Sequence, residues 1–329
     1  MLTSPSPSPI AIRALIAEFL EGYVPPIRAA TTCRLMRQSL RELAEDDRLV
    51  VAADLTPAAL WRWFRSHPDR SPITTAVHLR NLRAFANHAV GRGLLNASPF
   101  TYDRVLKKAT HVKPSRRKRH HTLVEIGCVL GHLRDQSRSS WEAGRLHALA
   151  SLVAFTGVRA LEASHAEVAD FDLDAGFFRV EPKPWHPLKT ESSERDVPIP
   201  PPLAEVLRAW LPRARSRYAF PGVQRVGPWV GGSPGHRPVD RLGQAGRDVG
   251  VRGFTFLSLR HSYITHGAGP WGLGPILIQQ IAGHSIQDTQ KHYLGRDRSN
   301  LTAAVASIAF PMPDAKVARS QIAEVARSQ

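Results

Sequence analysis

The sequence has little cysteine, few acidic side chains and no long apolar run. Its two cysteines, Cys33 and Cys128, lack the spacing of metal ligands, so we expect free thiols in a reducing cytoplasm. No stretch approaches the roughly 18 apolar residues of a membrane span. Met1–Pro9 is a Ser/Pro tract without the basic start and apolar core of a signal peptide, and we expect a flexible arm there. The lack of a long apolar run argues against a chain that spans a membrane, and we expect no membrane partner.

Basic residues greatly exceed acidic ones. The 329 residues include 44 Lys and Arg against 28 Asp and Glu, which gives a formal net charge of +16. Such an excess requires an anionic partner or strong counterion screening. Nucleic acid is the first candidate and an anionic membrane surface the second. Hydrophobic residues make up 43% of the chain, which is enough for globular cores and excludes a disordered chain.

Residues 10–106 have a helical pattern throughout. Apolar positions from Ile12 to Leu20 fall on one face of a helix. Thr56-Pro57 has the form of an N-cap followed by proline at the first helical position. A later helix ends at Gly91–Gly93, and Ser98-Pro99-Phe100 closes the segment. We predict an all-α domain of about four helices.

Residues 107–121 are basic and nearly devoid of apolar side chains. This segment can be a solvated linker, a linker that follows a phosphate backbone, or both. The candidate DNA-binding residues are Lys113, Arg116, Arg117, Lys118 and Arg119.

Residues 122–312 form the second predicted domain. Thr122 and Glu125 have the spacing of a capping box, Leu146–Phe155 is a buried helix, and Phe177–Val180 and Arg195–Ile199 are strands around a turn. A loop over Pro221–Pro238 follows, and then helices over Ser258–Thr265 and Pro275–Ala282. The predicted fold is therefore mainly α, with a small antiparallel β-sheet in the C-terminal domain. The tail, residues 313–329, contains Val-Ala-Arg-Ser-Gln twice.

Four separated clusters contain the candidate chemistry. They are Thr156-Gly157-Val158-Arg159-Ala160-Leu161-Glu162, then Lys189 before Arg195-Asp196-Val197-Pro198, then Leu257-Ser258-Leu259-Arg260-His261, and finally Gly283-His284-Ser285 with Thr289 and Tyr293. Each cluster alone has an ordinary explanation, such as a surface arginine, a solvated lysine, a capping histidine or a half-buried tyrosine. Their order and spacing together are specific.

In that order and spacing, the clusters resemble the tyrosine recombinase (phage integrase) family from about Ile10 to Phe310. The family has a Thr-Gly-x-Arg-x-x-Glu box, a lysine on a β-hairpin, a His-x-Leu-Arg-His box, and Gly-His-Ser followed by threonine and tyrosine. The resemblance implies a helical, SAM-like core-binding domain joined to an integrase-like catalytic domain. It also implies DNA strand breakage and rejoining through a 3′-phosphotyrosyl intermediate.

The chemistry of phosphoryl transfer gives these residues roles. A phosphodiester under attack gathers negative charge, and the forks of Arg159 and Arg260 suit its non-bridging oxygens. His284 would add a hydrogen bond, and Tyr293 would supply the nucleophilic oxygen. By analogy with the family, Lys189 would protonate the leaving 5′-oxygen. The sequence shows no carboxylate cluster for a divalent metal, so we expect neither a metal nor a cofactor.

Three neighbouring positions qualify this assignment. Glu162 would orient Arg159 or brace its helix, although a surface charge is the competing interpretation. Leu257 departs from the family, which has histidine there, and a leucine cannot move protons. His261 follows Arg260 but points about 100° away on a helix, so we expect a structural role for it. Leu257 therefore predicts attenuated activity.

The expected partner is double-stranded DNA, bound by a homotetramer with one dimer per site and with possible accessory DNA-bending proteins. The expected location is the cytoplasm, at the nucleoid. Two alternatives stay open: a type IB-like topoisomerase, and a degenerate relative that binds DNA without cutting it.

Overall fold

Six α-helices form the N-terminal part of the computed structural model, which describes residues 10–22, 30–111, 120–184, 194–283, 305 and 308–310. The helices are α1 (Ile12–Gly22), α2 (Ala30–Leu43), α3 (Pro57–Arg65), α4 (Pro72–Gly91), α5 (Pro99–Tyr102) and α6 (Arg104–Ala109). The chain divides into two units, Met1–Arg116 and Arg117–Gln329. The arm over residues 1–9, the tail over 313–329, and Lys113, Arg116, Arg117, Lys118 and Arg119 lie outside the described residues.

The apolar faces of these helices meet in one core. Phe19 of α1, Leu40 of α2, Leu60 of α3 and Phe85 of α4 are fully buried there. The rings of Phe19 and Phe85 meet edge to face, with their centroids 5.5 Å apart. Burying each such side chain contributes roughly 1.5–3 kcal/mol to folding. The helical, amphipathic pattern predicted for this region is confirmed.

Side-chain caps set the start of α3 and α4. The hydroxyl of Thr56 accepts a hydrogen bond from the backbone N–H of Ala59, and Pro57 occupies the first turn, as predicted. Ser71 caps α4 in the same way by accepting from the N–H of Thr74. Proline is tolerated at these positions because the first helical N–H groups have no partner within the helix.

The helical unit extends beyond the predicted Ser98-Pro99-Phe100 boundary. Asp103 caps α6 by accepting from two backbone N–H groups, and its carboxylate also accepts from Trp61 Nε1 at 2.6 Å. Leu106 of α6 is buried in the same core. Lys107 therefore lies in the last turn of a helix and not at the start of a linker. With the two short helices α5 and α6, this unit has six described helices, whereas about four were predicted.

The second unit contains seven described helices and one sheet. The helices are α7 (Leu123–Gln136), α8 (Trp141–Thr156), α9 (Ala160–Ser164), α10 (Pro201–Ala214), α11 (Pro238–Asp248), α12 (Phe256–Ala268) and α13 (Pro275–Ala282). The strands are β1 (Phe171–Asp172), β2 (Phe177–Val180) and β3 (Arg195–Pro198), antiparallel in the order β1-β2-β3. Phe178 is the register partner of both Phe171 and Val197. The predicted class, mainly α with a small antiparallel sheet, is confirmed.

Helix α8 is the centre of this unit. Every residue from Gly144 to Thr156 is buried, and α7, α10 and α12 pack around the helix. A mostly apolar helix without a polar face requires such an enclosed position. The predicted buried helix over Leu146–Phe155 is therefore confirmed, as is the capping box of Thr122 and Glu125 at the start of α7.

Two helices, α10 and α11, were not predicted from the sequence. The prolines that open α10 resemble a loop, but they occupy positions that proline tolerates. Helix α11 contains Gly246, and a Cβ there would lie only 2.6 Å from the Cβ of Phe254. This glycine is required for close packing of the backbone and does not interrupt the helix. Across the described ranges, no helix combines the length and apolarity needed to cross a membrane.

Candidate active site

The predicted site begins where α8 ends. Gly157 closes the helix in the left-handed conformation, with φ at +65°, and its N–H donates to the carbonyl of Val153. A Cβ at Gly157 would lie 2.3 Å from Cδ1 of the buried Tyr263. Both the backbone angle and the ring of Tyr263 therefore require glycine. The turn brings Arg159 to the N-cap of α9.

Arg159 is held on two sides. Its Nη1 donates to Glu162 Oε1 at 2.6 Å, and its Nη2 donates to the carbonyl of Gly283 at 2.7 Å. Its backbone N–H donates to Glu162 Oε2 at 3.0 Å. The side chain still has a relative exposure of 33%. Arg159 is therefore fixed in orientation and accessible from outside.

Arg260 lies on α12 and is buried, with 7% of the residue exposed. Its Nη1 donates to the carbonyl of Gly157 at 2.5 Å and to the carbonyl of Ala282 at 2.7 Å. Burial, together with the positive charge of Arg159, lowers the pKa of Arg260 to about 10. It therefore stays protonated at neutral pH, in a position where a charge without a counterion is costly.

Glu162 is buried and accepts from two arginines. Its Oε1 pairs with Arg159, and its Oε2 accepts from Arg195 Nη2 at 2.8 Å. Burial alone would raise the pKa of Glu162, but the charge and hydrogen bonds of Arg195 and Arg159 outweigh it and lower that pKa. With 7% of the residue exposed, Glu162 is not the surface charge of the competing interpretation.

Three consecutive carbonyls at the end of α13 each accept from a different arginine. Arg195 Nε donates to Ile281 at 2.7 Å, Arg260 to Ala282, and Arg159 to Gly283. The last carbonyls of a helix lack partners within it and carry partial negative charge, so cations stabilise them. One arginine from each of the first three predicted clusters therefore meets the carbonyls of residues 281–283, directly before His284 in the sequence.

Three predicted catalytic residues, Lys189, His284 and Tyr293, lie outside the described residues. Leu257 lies in the first turn of α12 with an exposure of 63%. His261, on the same helix, is half-buried. Within the described ranges, no group of three His, Cys, Asp or Glu side chains could hold a metal ion.

His121 anchors α12, a role that the sequence analysis missed because it placed this residue in the basic linker. The side chain is buried, and its Nε2 lies 3.1 Å from Ser258 Oγ. The backbone N–H of His121 donates to Ser262 Oγ, and its carbonyl lies 2.7 Å from His266 Nε2. These contacts hold the helix that carries Arg260. A histidine directly before a helix cap, at the end of a basic run, was the available signal.

A second set of residues that the sequence analysis missed lies in the N-terminal unit. Arg34, Arg37 and Arg41 are exposed on one face of α2, at the spacing i, i+3 and i+7. Within the described part of the chain, none of the three forms an ion pair with a carboxylate. The signal was available in the sequence, since the three arginines recur at a helical period.

The sequence is similar to that of known recombinases. No family model matches the chain. Tyrosine recombinase XerC of Erythrobacter litoralis (strain HTCC2594) is 28% identical over 293 residues, which is 84% of this chain and 85% of the relative. Tyrosine recombinase XerC of Bifidobacterium longum (strain DJO10A) is 28% identical over 170 residues, 49% of this chain. That match spans about half of the Bifidobacterium relative, 46% of its length.

Solved structures share the fold. A lambda integrase dimer bound to a COC′ core site aligns with a TM-score of 0.63 at 14% identity, covering 88% of this chain and 78% of the other. Tn1549 transposon integrase in complex with a circular intermediate DNA aligns with a TM-score of 0.65 at 18% identity, covering 89% and 98%. The architecture is that of an integrase. In sequence the chain is similar to tyrosine recombinases, and it shares its fold with integrases.

Proposed function

We propose that this protein is a site-specific recombinase that cleaves and rejoins DNA strands through a covalent 3′-phosphotyrosyl intermediate. The observation that carries this proposal is the convergence of three arginines. Arg159 and Arg195 pair with Glu162, and Arg260 donates to the carbonyl of Ala282, next to the carbonyl that accepts from Arg159. The three guanidiniums outnumber the carboxylate, and the excess positive charge suits an anion. Arg159 is the accessible member. A phosphodiester that gains charge during attack is such an anion.

The proposed reaction needs no external energy source. The phenolic oxygen of Tyr293 forms a bond to phosphorus and gives its proton to solvent water, while the bond from phosphorus to the 5′-oxygen breaks. Lys189 gives its proton to that leaving oxygen, and Arg159, Arg260 and His284 hold the non-bridging oxygens. The phosphotyrosyl bond replaces the phosphodiester bond, so attack by another 5′-hydroxyl reverses the step and joins a new strand.

DNA is the proposed partner, and the positive surfaces support it. The exposed arginines of α2 would contact the phosphate backbone, as would the basic residues predicted between the two domains. Lambda integrase forms a dimer on a COC′ core site and a tetramer on a Holliday junction. By analogy we propose one dimer per site and a tetramer during exchange, with accessory DNA-bending proteins, at the nucleoid.

A covalent-complex assay tests the proposal. The probes are nicked duplexes from the DNA that flanks the gene, and the product is a protein–DNA band on a denaturing gel. We expect the band with the parent protein and its loss in Tyr293→Phe, because that change removes only the attacking oxygen. A covalent band from Tyr293→Phe, or none from the parent, contradicts the proposal. Strands exchanged between duplexes separate a recombinase from a topoisomerase, which only relaxes supercoils.

Tyr263→Phe is the matched control. Tyr263 is buried against Gly157, and its hydroxyl has no hydrogen-bond partner among the described residues. Burial raises the pKa of Tyr263 far above its ordinary value, which makes it a poor nucleophile. Removing this hydroxyl keeps the ring and breaks no hydrogen bond within the described part of the chain, so the control should form the covalent band as the parent does.

A further inference from the structure

Arg195 is buried between Glu162 on one side and the end of α13 on the other. It lies on β3, and its side chain has an exposure of only 8%. Nη2 donates to Glu162 Oε2 at 2.8 Å, and Nε donates to the carbonyl of Ile281 at 2.7 Å. One planar group therefore joins the helix that follows Arg159 to the end of α13. A lysine could supply the charge but not both bonds at these two angles.

Glu162 connects Arg195 to Arg159. The two arginine side chains bind different carboxylate oxygens: Oε1 accepts from Arg159 Nη1 at 2.6 Å, and Oε2 accepts from Arg195 Nη2 and from the backbone N–H of Arg159. Any rotation of the carboxylate that improves one bond worsens the other. The position of Arg195 therefore determines where Glu162 holds Arg159, although Arg195 is far less exposed than Arg159.

The burial of this chain of charges carries an energetic cost. Burial lowers the pKa of Arg195 despite the raising effect of Glu162. Replacing a buried ion pair by apolar groups of similar size is often neutral or stabilising. Stability alone is therefore a weak reason for an arginine at this position, whereas the orientation of Arg159 and of α13 is a reason that an apolar residue cannot satisfy.

We propose that Arg195 is a positioning residue that aligns Arg159, through Glu162, with the segment that enters His284. This proposal rests on the proposed function, since the aligned groups are those that would hold the phosphate. Arg195 need not touch DNA. Its effect appears in the rate of strand cleavage because a small misplacement of a catalytic group costs up to about 100-fold.

The first test measures single-turnover covalent-complex formation by Arg195→Met and Arg195→Lys on the nicked duplexes. We expect Arg195→Met to slow cleavage by roughly 10- to 100-fold, with DNA affinity within about threefold of the parent. Arg195→Lys should recover part of the rate, because one of the two bonds can form. Cleavage at the parental rate in either folded variant overturns the proposal, as does a loss explained by weaker DNA binding.

Arg237→Met is the control for the loss of an arginine–carboxylate pair. Arg237 donates to both oxygens of Asp240 at 2.7 and 2.9 Å in an exposed position at the start of α11. We expect this variant to cleave at the parental rate. A loss equal to that of Arg195→Met would show that any missing arginine slows the reaction, and it would overturn the specific role of Arg195.

The second test does not depend on activity. Arg159→Met and Arg195→Met are combined in a double-mutant cycle on the unfolding equilibrium, once with Glu162 present and once with Glu162→Gln. We expect the effects of the two substitutions on the unfolding equilibrium constant to differ from additivity by at least threefold, and we expect this coupling to disappear when Glu162 is replaced by Gln. Additive effects would overturn the proposed connection of Arg195 to Arg159 through Glu162. If the two arginines are coupled but the parent protein forms no covalent product, the connection through Glu162 stands and the proposed function is rejected.

Discussion

The guanidinium of Arg195 fills the space that a side chain on Gly283 would take. A Cβ built on Gly283 would lie 2.6 Å from Nη1 of Arg195 and 2.7 Å from its Cζ. Gly283 also has φ at +67°, and its carbonyl accepts from Arg159. This single residue thus turns the chain out of α13, admits Arg195 and orients Arg159, directly before His284.

Gly283→Ala should therefore destabilise the protein and slow cleavage. The left-handed backbone alone costs roughly 1–2 kcal/mol for a residue with a Cβ, and displacing the buried Arg195 adds to that cost. Gly272→Ala is a matched control, because Gly272 has φ at +63° and nothing within 4 Å of its Cβ position. Chemical denaturation compares the two variants. An equal loss of unfolding free energy in both would show that contact with Arg195 is unimportant.

Removing either clamp arginine should lower cleavage more than binding. We expect Arg159→Ala and Arg260→Ala each to cleave about 100-fold more slowly or worse, as for loss of one oxyanion donor. Arg260→Ala should also lose stability, since it leaves the carbonyls of Gly157 and Ala282 without that donor. Single-turnover cleavage, DNA affinity and thermal unfolding are measured in parallel. An arginine variant that cleaves at the parental rate removes that residue from the site.

DNA binding by α2 should appear in the salt dependence of affinity. Each phosphate contact contributes about −0.9 to the slope of log K against log salt. Arg37→Ala should reduce the steepness of that slope by about one unit and weaken binding to all sequences alike. Arg62→Ala is the control, because Arg62 already pairs with Asp46 at 2.8 Å. An unchanged slope for Arg37→Ala would place the backbone contacts elsewhere.

Short motifs with fixed neighbours single out Arg159 and Arg260 in the sequence. The contacts of Arg195 could not be predicted, because its partners Glu162 and Ile281 are distant in sequence and meet only through the packing of β3 against α13. The catalytic roles of Arg159, Arg260, Lys189, His284 and Tyr293 stay predictions. In the fold, α10 was missed because the prolines at its start suggest a loop. Proline is tolerated in the first turn of a helix, and composition alone does not show that these prolines lie there.

Stability should fall as the pH drops through the titration of His147. This residue of α8 is buried, and its Nε2 has no hydrogen-bond partner among the described residues. Burial and the charge of Arg134 lower its pKa to about 4. The unfolded chain, with a pKa near 6.5, binds the proton first, so stability is lost as the pH falls from about 6.5 to 4.

His147→Leu should remove this dependence and stabilise the protein near pH 5 relative to the parent. Urea unfolding between pH 4 and 7 measures the slope, and the exposed His236 provides the control variant His236→Leu. If His147→Leu keeps the slope of the parent protein, another group is responsible for the loss of stability in acid.

Leu257 offers the sharpest test of whether the site is complete. In a buried apolar pocket, an imidazole without a partner would cost about 1–3 kcal/mol. Leu257 does not lie in such a pocket, because it is 63% exposed in the first turn of α12. Leu257→His should therefore leave stability within about 0.5 kcal/mol of the parent, as is usual for surface changes. Any effect on cleavage then reports chemistry.

We expect Leu257→His to accelerate single-turnover cleavage, since a positioned general acid or base is typically worth about 10²–10⁴-fold. The gain should be largest near neutral pH, where imidazole exists in both protonation states. Leu257→Gln is the matched control: it adds polarity at similar size but cannot exchange a proton near neutrality, so it should cleave as the parent does. An equal gain in both variants would assign the effect to polarity. Slower cleavage by Leu257→His at unchanged stability would reject this position as a vacant proton-transfer site, whereas a histidine-specific gain would identify the parent protein as an attenuated enzyme whose arginines and nucleophile are already in place.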